Sequence, residues 1–424
     1  MFCSILFFTL PAHADDALSL SGRLNARGGE RQEKDSVKED PSLEGRLKLD
    51  ASASSWRLHS WLEGGWDGTV LRPPRDRSLF KNYDEVYQSN SPYLEFKELC
   101  LTHTSGSLDL RAGIQRFAWG RLDEYPPNDV LNPWDYTQFL RKPLEDRKIG
   151  VPSVSATLNR GDWSLDAVWI PVLVPYRLAM PDERWSGSSI ASTIHSALPN
   201  AVITPREPDL PDRKFENGNA GLRIKHLGDI EWALNLYNGY DLNPVFKGTA
   251  FTLLPQGSSV TIDPGYVPDF HRMSSVGMDA AVVRGDLSIR AEARYAFHRY
   301  LNIRHELWGY PAVLTPGIHP LSAIEREHDT VDYGIGLDYR LFEDAMLTAQ
   351  VQQTAIIGNV DLLYERKFET LLWANVKINW MNQKIETNLN VAYNPEHNSS
   401  MVKANAWYVF SDSWKAGIAA INLN

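Results

Sequence analysis

Charged side chains gather most densely between Gly113 and Arg147. Four arginines, Arg116, Arg121, Arg141 and Arg147, are interspersed with Asp123, Asp129 and Asp135, and Asn132-Pro133 sits among them. Guanidinium and carboxylate groups form charge-assisted hydrogen bonds, so this mixture can fix an irregular segment at a place where its backbone needs partners. Asn-Pro with flanking Asp supplies Asx-type turns and removes one backbone donor. The same charges, facing a water-filled passage, would filter solutes by charge. Two roles are therefore open, pinning alone or pinning with a share in a constriction. The candidate pore or constriction residues are Arg111, Arg116, Arg121, Asp123, Asp129 and Asp135, with Arg290, Glu292 and Arg294 from a strand further on.

Other reactive residue types form no constellation. His103, His226, His271, His298, His305, His319 and His328 are scattered without metal-ligand spacing, and no Gly-x-Ser-x-Gly or phosphate-binding Gly-rich loop occurs. His103 with Ser105 and Ser107 is the nearest approach to a hydrolytic cluster, and it falls in a short turn. Cys3 and Cys100 are the only cysteines, without a Cys-x-x-Cys-His haem site. No cofactor and no enzymatic activity are expected.

The elements that must position these residues are strands. From Asp286 to Phe297, Leu287, Ile289, Ala291, Ala293, Tyr295 and Phe297 occupy one face, and Ser288, Arg290, Glu292 and Arg294 the other. Val331 to Arg340, Leu372 to Trp380, Ile385 to Tyr393 and Leu108 to Gln115 repeat the alternation, and a phase break at Lys97-Glu98 reads as a bulge. Short turns are predicted at Ala51–Ser55, Thr104–Ser107, Asn159–Asp162, Leu227–Asp229, Arg284–Asp286, Leu341–Asp344, Trp380–Gln383 and Ser411–Ser413. Gly-Asp recurs in three of them, as positive-φ tight hairpins require. The intervening connections, among them Phe117–Ile149, Val172–Asn217, Tyr240–Arg272 and His298–Glu327, are long and polar. They read as extracellular loops too rich in Pro for a second core, with Arg184–Leu210 poorly ordered.

Apolar-out, polar-in strands of about ten residues, joined alternately by short turns and long loops, define a transmembrane antiparallel up-and-down β-barrel, all-β in class. Eight hairpins and a leading strand, Ala17–Ala26, give 17 strands, an odd number that points to 16 or 18. The last residues lack a terminal aromatic, which favours a chain short of its closing strand. Met1–Ala14 reads as an export signal, apolar at Ile5–Leu10 and ending in Ala12-His13-Ala14, ahead of a barrel over residues 15–424. A mean hydropathy of −0.34 fits, because lumen residues offset the lipid face. Net charge −10 over 424 residues speaks against nucleic-acid binding.

The run Gly113-Ile114-Gln115, Trp119-Gly120-Arg121-Leu122-Asp123 and Asp129-Val130-Leu131-Asn132-Pro133-Trp134-Asp135 resembles the signature of a group of uncharacterised, porin-like outer-membrane barrels of Gram-negative bacteria. Trp163 to Pro171 fits the same resemblance. It implies an outer-membrane location, a barrel, and a third long loop folded into the lumen; it brings no catalytic residues. The leading expectation is a passive channel for small solutes, embedded in outer-membrane lipid, with 117–149 as the constriction. The alternatives are a sleeve that docks a periplasmic partner such as a multihaem cytochrome, and an outer-membrane lipid hydrolase.

Overall fold

The computed structural model describes residues 2–10, 18–33, 36–68, 80–88, 91–138, 141–179, 201–204, 206–256, 259–310 and 315–424. Eighteen strands form one antiparallel sheet in which sequence neighbours pair. They are β1 (Phe2–Leu10), β2 (Leu18–Gly28), β3 (Ser42–Ala53), β4 (Trp56–Asp67), β5 (Tyr93–Ser105) and β6 (Leu108–Gln115). Next come β7 (Val151–Arg160), β8 (Trp163–Ile170), β9 (Asn219–His226), β10 (Ile230–Tyr240), β11 (Arg272–Arg284) and β12 (Leu287–Asn302). The last are β13 (Glu325–Phe342), β14 (Ala345–Ile356), β15 (Phe368–Trp380), β16 (Ile385–Asn394), β17 (Ser399–Ser411) and β18 (Trp414–Leu423).

The ladder closes on itself through β1, which pairs with β2 from Phe2↔Gly28 to Leu10↔Leu20 and with β18 from Phe2↔Ile418 to Leu6↔Trp414. This strand lies within the segment whose sequence reads as an export signal, and it fills the place left open by an odd count of 17. Its sequence is apolar at consecutive positions, Ile5-Leu6-Phe7-Phe8, unlike the alternating strands beside it.

Every predicted short turn joins two consecutive strands, the tightest being Ser54–Ser55, Gly106–Ser107, Gly161–Asp162, Gly285–Asp286, Glu343–Asp344 and Asp412–Ser413. Gly161 and Gly285 take φ of +58° and +59°, as the hairpin geometry demands, whereas Gly228 sits in a three-residue turn outside that region. The bulge is also present: Trp61 pairs with Glu98 and Leu62 with Phe96, so Lys97 is the extra residue and points inward with Glu95.

Burial is inverted relative to a water-soluble protein. Ile335, Ile418 and Met278 are more than half exposed, while Glu63, Asp279, Glu292 and Asp332 are almost fully buried. Exposed aromatics mark both rims of the apolar band: Trp56 and Trp380 at the short-turn end, Trp66 and Phe368 at the other. Ten residues separate Trp56 from Trp66, about 25 Å of height for a strand tilted by roughly 40°. That matches the apolar height of an outer-membrane barrel wall.

The long connections depart from expectation. Ala201–Ile203, Ala250–Gln256, Ser259–Asp263 and Gly317–Pro320 form a four-stranded sheet over Ile203, Phe251, Leu253 and Ile262. Val245–Gly248 pairs with Tyr266–Asp269 above a second cluster around Trp308 and Ile324. The loops therefore do hold cores of their own. Short alternations such as Phe251/Leu253 and Val260/Ile262 suffice to build them, and the surrounding Pro residues hid this pattern. Most of Arg184–Leu210 lies outside the described residues.

Candidate functional site

The connection between β6 and β7, residues 116–150, folds into the lumen. Its two ends are tied by Asn132, which is buried: the Phe117 N–H donates to its side-chain oxygen (2.7 Å), and its amide donates to the Gln115 and Ile149 carbonyls (3.1 and 2.8 Å). Asn132 thus acts as a clasp, and the Asx-type turn sits instead at Asp135, which accepts the Thr137 N–H at 3.0 Å. Phe117, Trp119, Val130 and Leu131 pack against Val168, Ile170, Tyr237 and Met273, so this side of the lumen is dry.

One arm of the loop docks on β9 to β14. The Glu292 carboxylate accepts the backbone N–H groups of Arg121, Leu122 (2.6 Å) and Asn128 (3.3 Å) and the Asn128 amide (3.2 Å). Arg121 donates to Asp279 and Glu231, both at 2.7 Å, and Arg223 reaches Asp279 at 3.1 Å. Arg290 bridges the Arg121 carbonyl and Asp123 (both 2.6 Å) and Asp338 (2.9 Å). Gln350 accepts the Asp123 N–H and donates to the Glu124 carbonyl. Gly120, at φ +87°, lies so close to Glu292 that a Cβ would strike the carboxylate. Inward glycines make room for the loop: a Cβ at Gly221 would meet Trp119, one at Gly277 would meet Asn128, and one at Gly334 or Gly336 would meet Leu122.

The other arm docks on β2 to β5. Lys142 lies between Glu44 (2.7 Å) and Glu63 (2.6 Å), and Asp146 between Arg46 (2.9 Å) and Arg23 (3.1 Å). Arg141 meets Asp40 and Asp67. Asp135 takes Lys81 at 2.8 Å and Arg177, from the next long loop, at 3.4 Å. Burial opposes the Asp135 charge, yet Lys81 and Arg177 hold its carboxyl well below the usual range. At Asp129 burial wins: its carboxyl is raised although Lys148 stands 2.5 Å away. Buried ion pairs of this kind contribute little net stability but fix position, because losing one partner strands the other.

Arg121, Asp123, Asp129, Asp135, Arg290 and Glu292 belong to the docking network described above. Arg116 lies over the Trp61 ring at 4.2 Å, beside Arg46 and Lys48, and donates to the Glu145 carbonyl. Arg111 faces Cys100 Sγ at 3.4 Å, away from the loop. Arg294 pairs with Asp332 at 2.6 Å and borders a cavity of about 250 Å³. His103 packs against Trp56 with ring centroids 4.4 Å apart, tilted by 32°, in the short-turn aromatic belt, and its Nδ1 has no hydrogen-bond partner among the described residues. Among the described residues no group of His, Cys, Asp or Glu could hold a metal ion.

With the loop bonded to β2–β5 on one side and β9–β14 on the other, open space remains against β15 to β18. A cavity of about 720 Å³ lies there. Asp123, Glu124, Tyr125, Leu144 and Arg147 line its loop side. Trp373, Asn375, Asn388, Asn390 and Lys403 line its wall side. Of the sequence candidates, Asp123 alone borders it. The wall asparagines were legible as inward positions of β15 and β16, but a charge-based search passes over amides.

A closed antiparallel wall with an apolar outer face, two aromatic rims and a polar, loop-filled interior pairs each strand on both edges, as hydrocarbon requires. The protein is an outer-membrane β-barrel of the Gram-negative type, porin-like in architecture. Residues 83–419 match the family described as a protein of unknown function (DUF1302), and the chain belongs to that family. No curated protein sequence matches it. Among solved structures it is similar to the trimer form of in-vitro folded OmpT, an outer membrane protein of Vibrio cholerae, at 11% identity and a TM-score of 0.44, over 100% of this chain and 98% of that one. It is similar also to OmpF of Salmonella typhi in complex with daunomycin (9%, TM-score 0.47, over 98% of this chain and 100% of that one). A third is the outer membrane channel DcaP of Acinetobacter baumannii (9%, TM-score 0.43, over 100% and 96%).

Proposed function

We propose that the protein is a passive channel for small solutes, with residues 117–149 narrowing the lumen to a passage along β15–β18. The observation that carries this reading is the asymmetry of docking: the loop bonds to β2–β5 and β9–β14, and the cavity lies against the remaining wall. Transport of this kind needs no chemistry, only a wet path with polar groups that substitute for lost hydration. A lumen position for most of the loop's charges makes them supports for the passage rather than its filter, apart from those at its edge such as Asp123, Glu124 and Arg147.

Purified protein in planar bilayers should conduct ions in discrete steps. Replacing residues 119–131 by a Gly-Ser linker of equal length should raise unit conductance several-fold, because the arm on β9–β14 is gone. A protein that inserts but passes no current in either form contradicts the proposal.

A further inference from the structure

We infer that the cavity along β15–β18 is a binding site for an uncharged solute that has one apolar face and several hydroxyl or amide groups, such as a sugar or an aryl glycoside. The inference rests on the channel reading for its access route and names the class of solute.

The register of the wall sets the two halves of this surface. Trp373 pairs with Ala392 and Ala392 with Met401, giving an apolar row across three strands. Two residues further along each strand, Asn375 pairs with Asn390 and Asn390 with Lys403, giving a polar row on the same inward face in which two amides adjoin one lysine. Two residues of strand are about 6.6 Å, the scale of one sugar ring. A ring laid on Trp373 therefore places its substituents at the amides.

Those amides have capacity to spare. Asn375 donates to Asn388 (3.0 Å) and Asn390 (2.7 Å), and Asn390 donates to Asn388 (2.6 Å). Asn388 thus accepts twice, while its own N–H groups and the Asn375 carbonyl find no partner among the described residues. Donors and an acceptor side by side suit hydroxyl groups, which both donate and accept.

Charge on the loop side of the rim is largely spent within the protein, and Lys403 on the wall side is not free either. Arg290 holds Asp123, Arg147 lies 3.9 Å from Glu124, and Lys142 sits between Glu44 and Glu63. An ionic solute would lose hydration here and meet groups already paired, whereas a neutral one gains the stacking surface and the amides. The volume of about 720 Å³ lies within the range of small-molecule sites.

Phenyl β-glucoside and phenyl β-glucuronide differ only in a carboxylate, and so separate shape from charge. Two readouts apply to the full chain: block of ion current in bilayers, and calorimetric binding in detergent. The glucoside should bind and block at a concentration at least tenfold lower than the glucuronide. Asn388→Ala with Asn390→Ala should weaken the glucoside at least fivefold, and Trp373→Leu should do the same. Equal affinity for the two probes, or glucoside binding indifferent to all three substitutions, overturns the inference. Binding without any current would instead overturn the channel and leave the site; current without binding would do the reverse.

Discussion

Replacing Glu292 by Ala is expected to unlatch one arm of the lumenal loop. The carboxylate serves three backbone N–H groups, those of Arg121, Leu122 and Asn128, together with the Asn128 amide. Hydrogen bonds to a charged group contribute about 1.5–3 kcal/mol each, and removing a shared acceptor is not additive, so a loss of about 3–5 kcal/mol in docking is the reasonable scale. Glu292→Gln should fall between, since an amide accepts with one oxygen but presents donors toward N–H groups. Arg121 keeps its pairs with Asp279 and Glu231, so the arm should fluctuate rather than leave. Single-channel records should accordingly show flickering between the parental conductance and a larger one. A quiet trace at the parental level, with wild-type resistance of the loop to added protease, would show that Glu292 is not the latch.

Lys at Ile335 is expected to be the costliest single change on the outer face. Ile335 is 54% exposed, pairs with Ala291 and Val351, and lies four residues from the rim residue Tyr339. That depth is near the middle of the apolar band, where Lys costs about 2–4 kcal/mol in lipid. Ile289, three residues from the Gly285–Asp286 turn, lies nearer the interface, and Lys there should cost about 1 kcal/mol or less. Folding equilibria in lipid vesicles, titrated with guanidinium, measure both. Equal and negligible effects would mean that these side chains do not face hydrocarbon.

Those two residues also show why the wall was so readable. A strand's side chains alternate with a fixed period, and a hydrocarbon face tolerates no polar exception, so Leu287 to Phe297 declares its own orientation. Tight turns are equally local, since Gly285-Asp286 needs only its own φ values. The lumen obeys a weaker rule. Asp129 and Asp135 carry charges that sequence can find, but whether a charge faces water or another strand depends on partners such as Lys148, Lys81 and Arg177, the last two 54 and 42 residues from Asp135. Charge density at Gly113–Arg147 therefore pointed to the loop correctly and to the passage only at the loop's edge, through residues such as Asp123, Glu124 and Arg147. The better signal for docking was negative: Gly221, Gly277, Gly334 and Gly336 leave gaps on inward faces that another segment must fill. For the passage it was the neutral run Asn388-x-Asn390 opposite Asn375.

The central claim is that apolar rows meet lipid while water passes between the loop and β15–β18. In a background lacking Cys3 and Cys100, single cysteines at Asn390, Ile335 and Asp279 should be treated with a charged, water-soluble thiol reagent while current is recorded. Modification at Asn390 should cut conductance by half or more, with no reaction at Ile335 and slow reaction at the loop-covered Asp279. Rapid reaction at Ile335, or full labelling of Asn390 with undiminished current, would contradict the account.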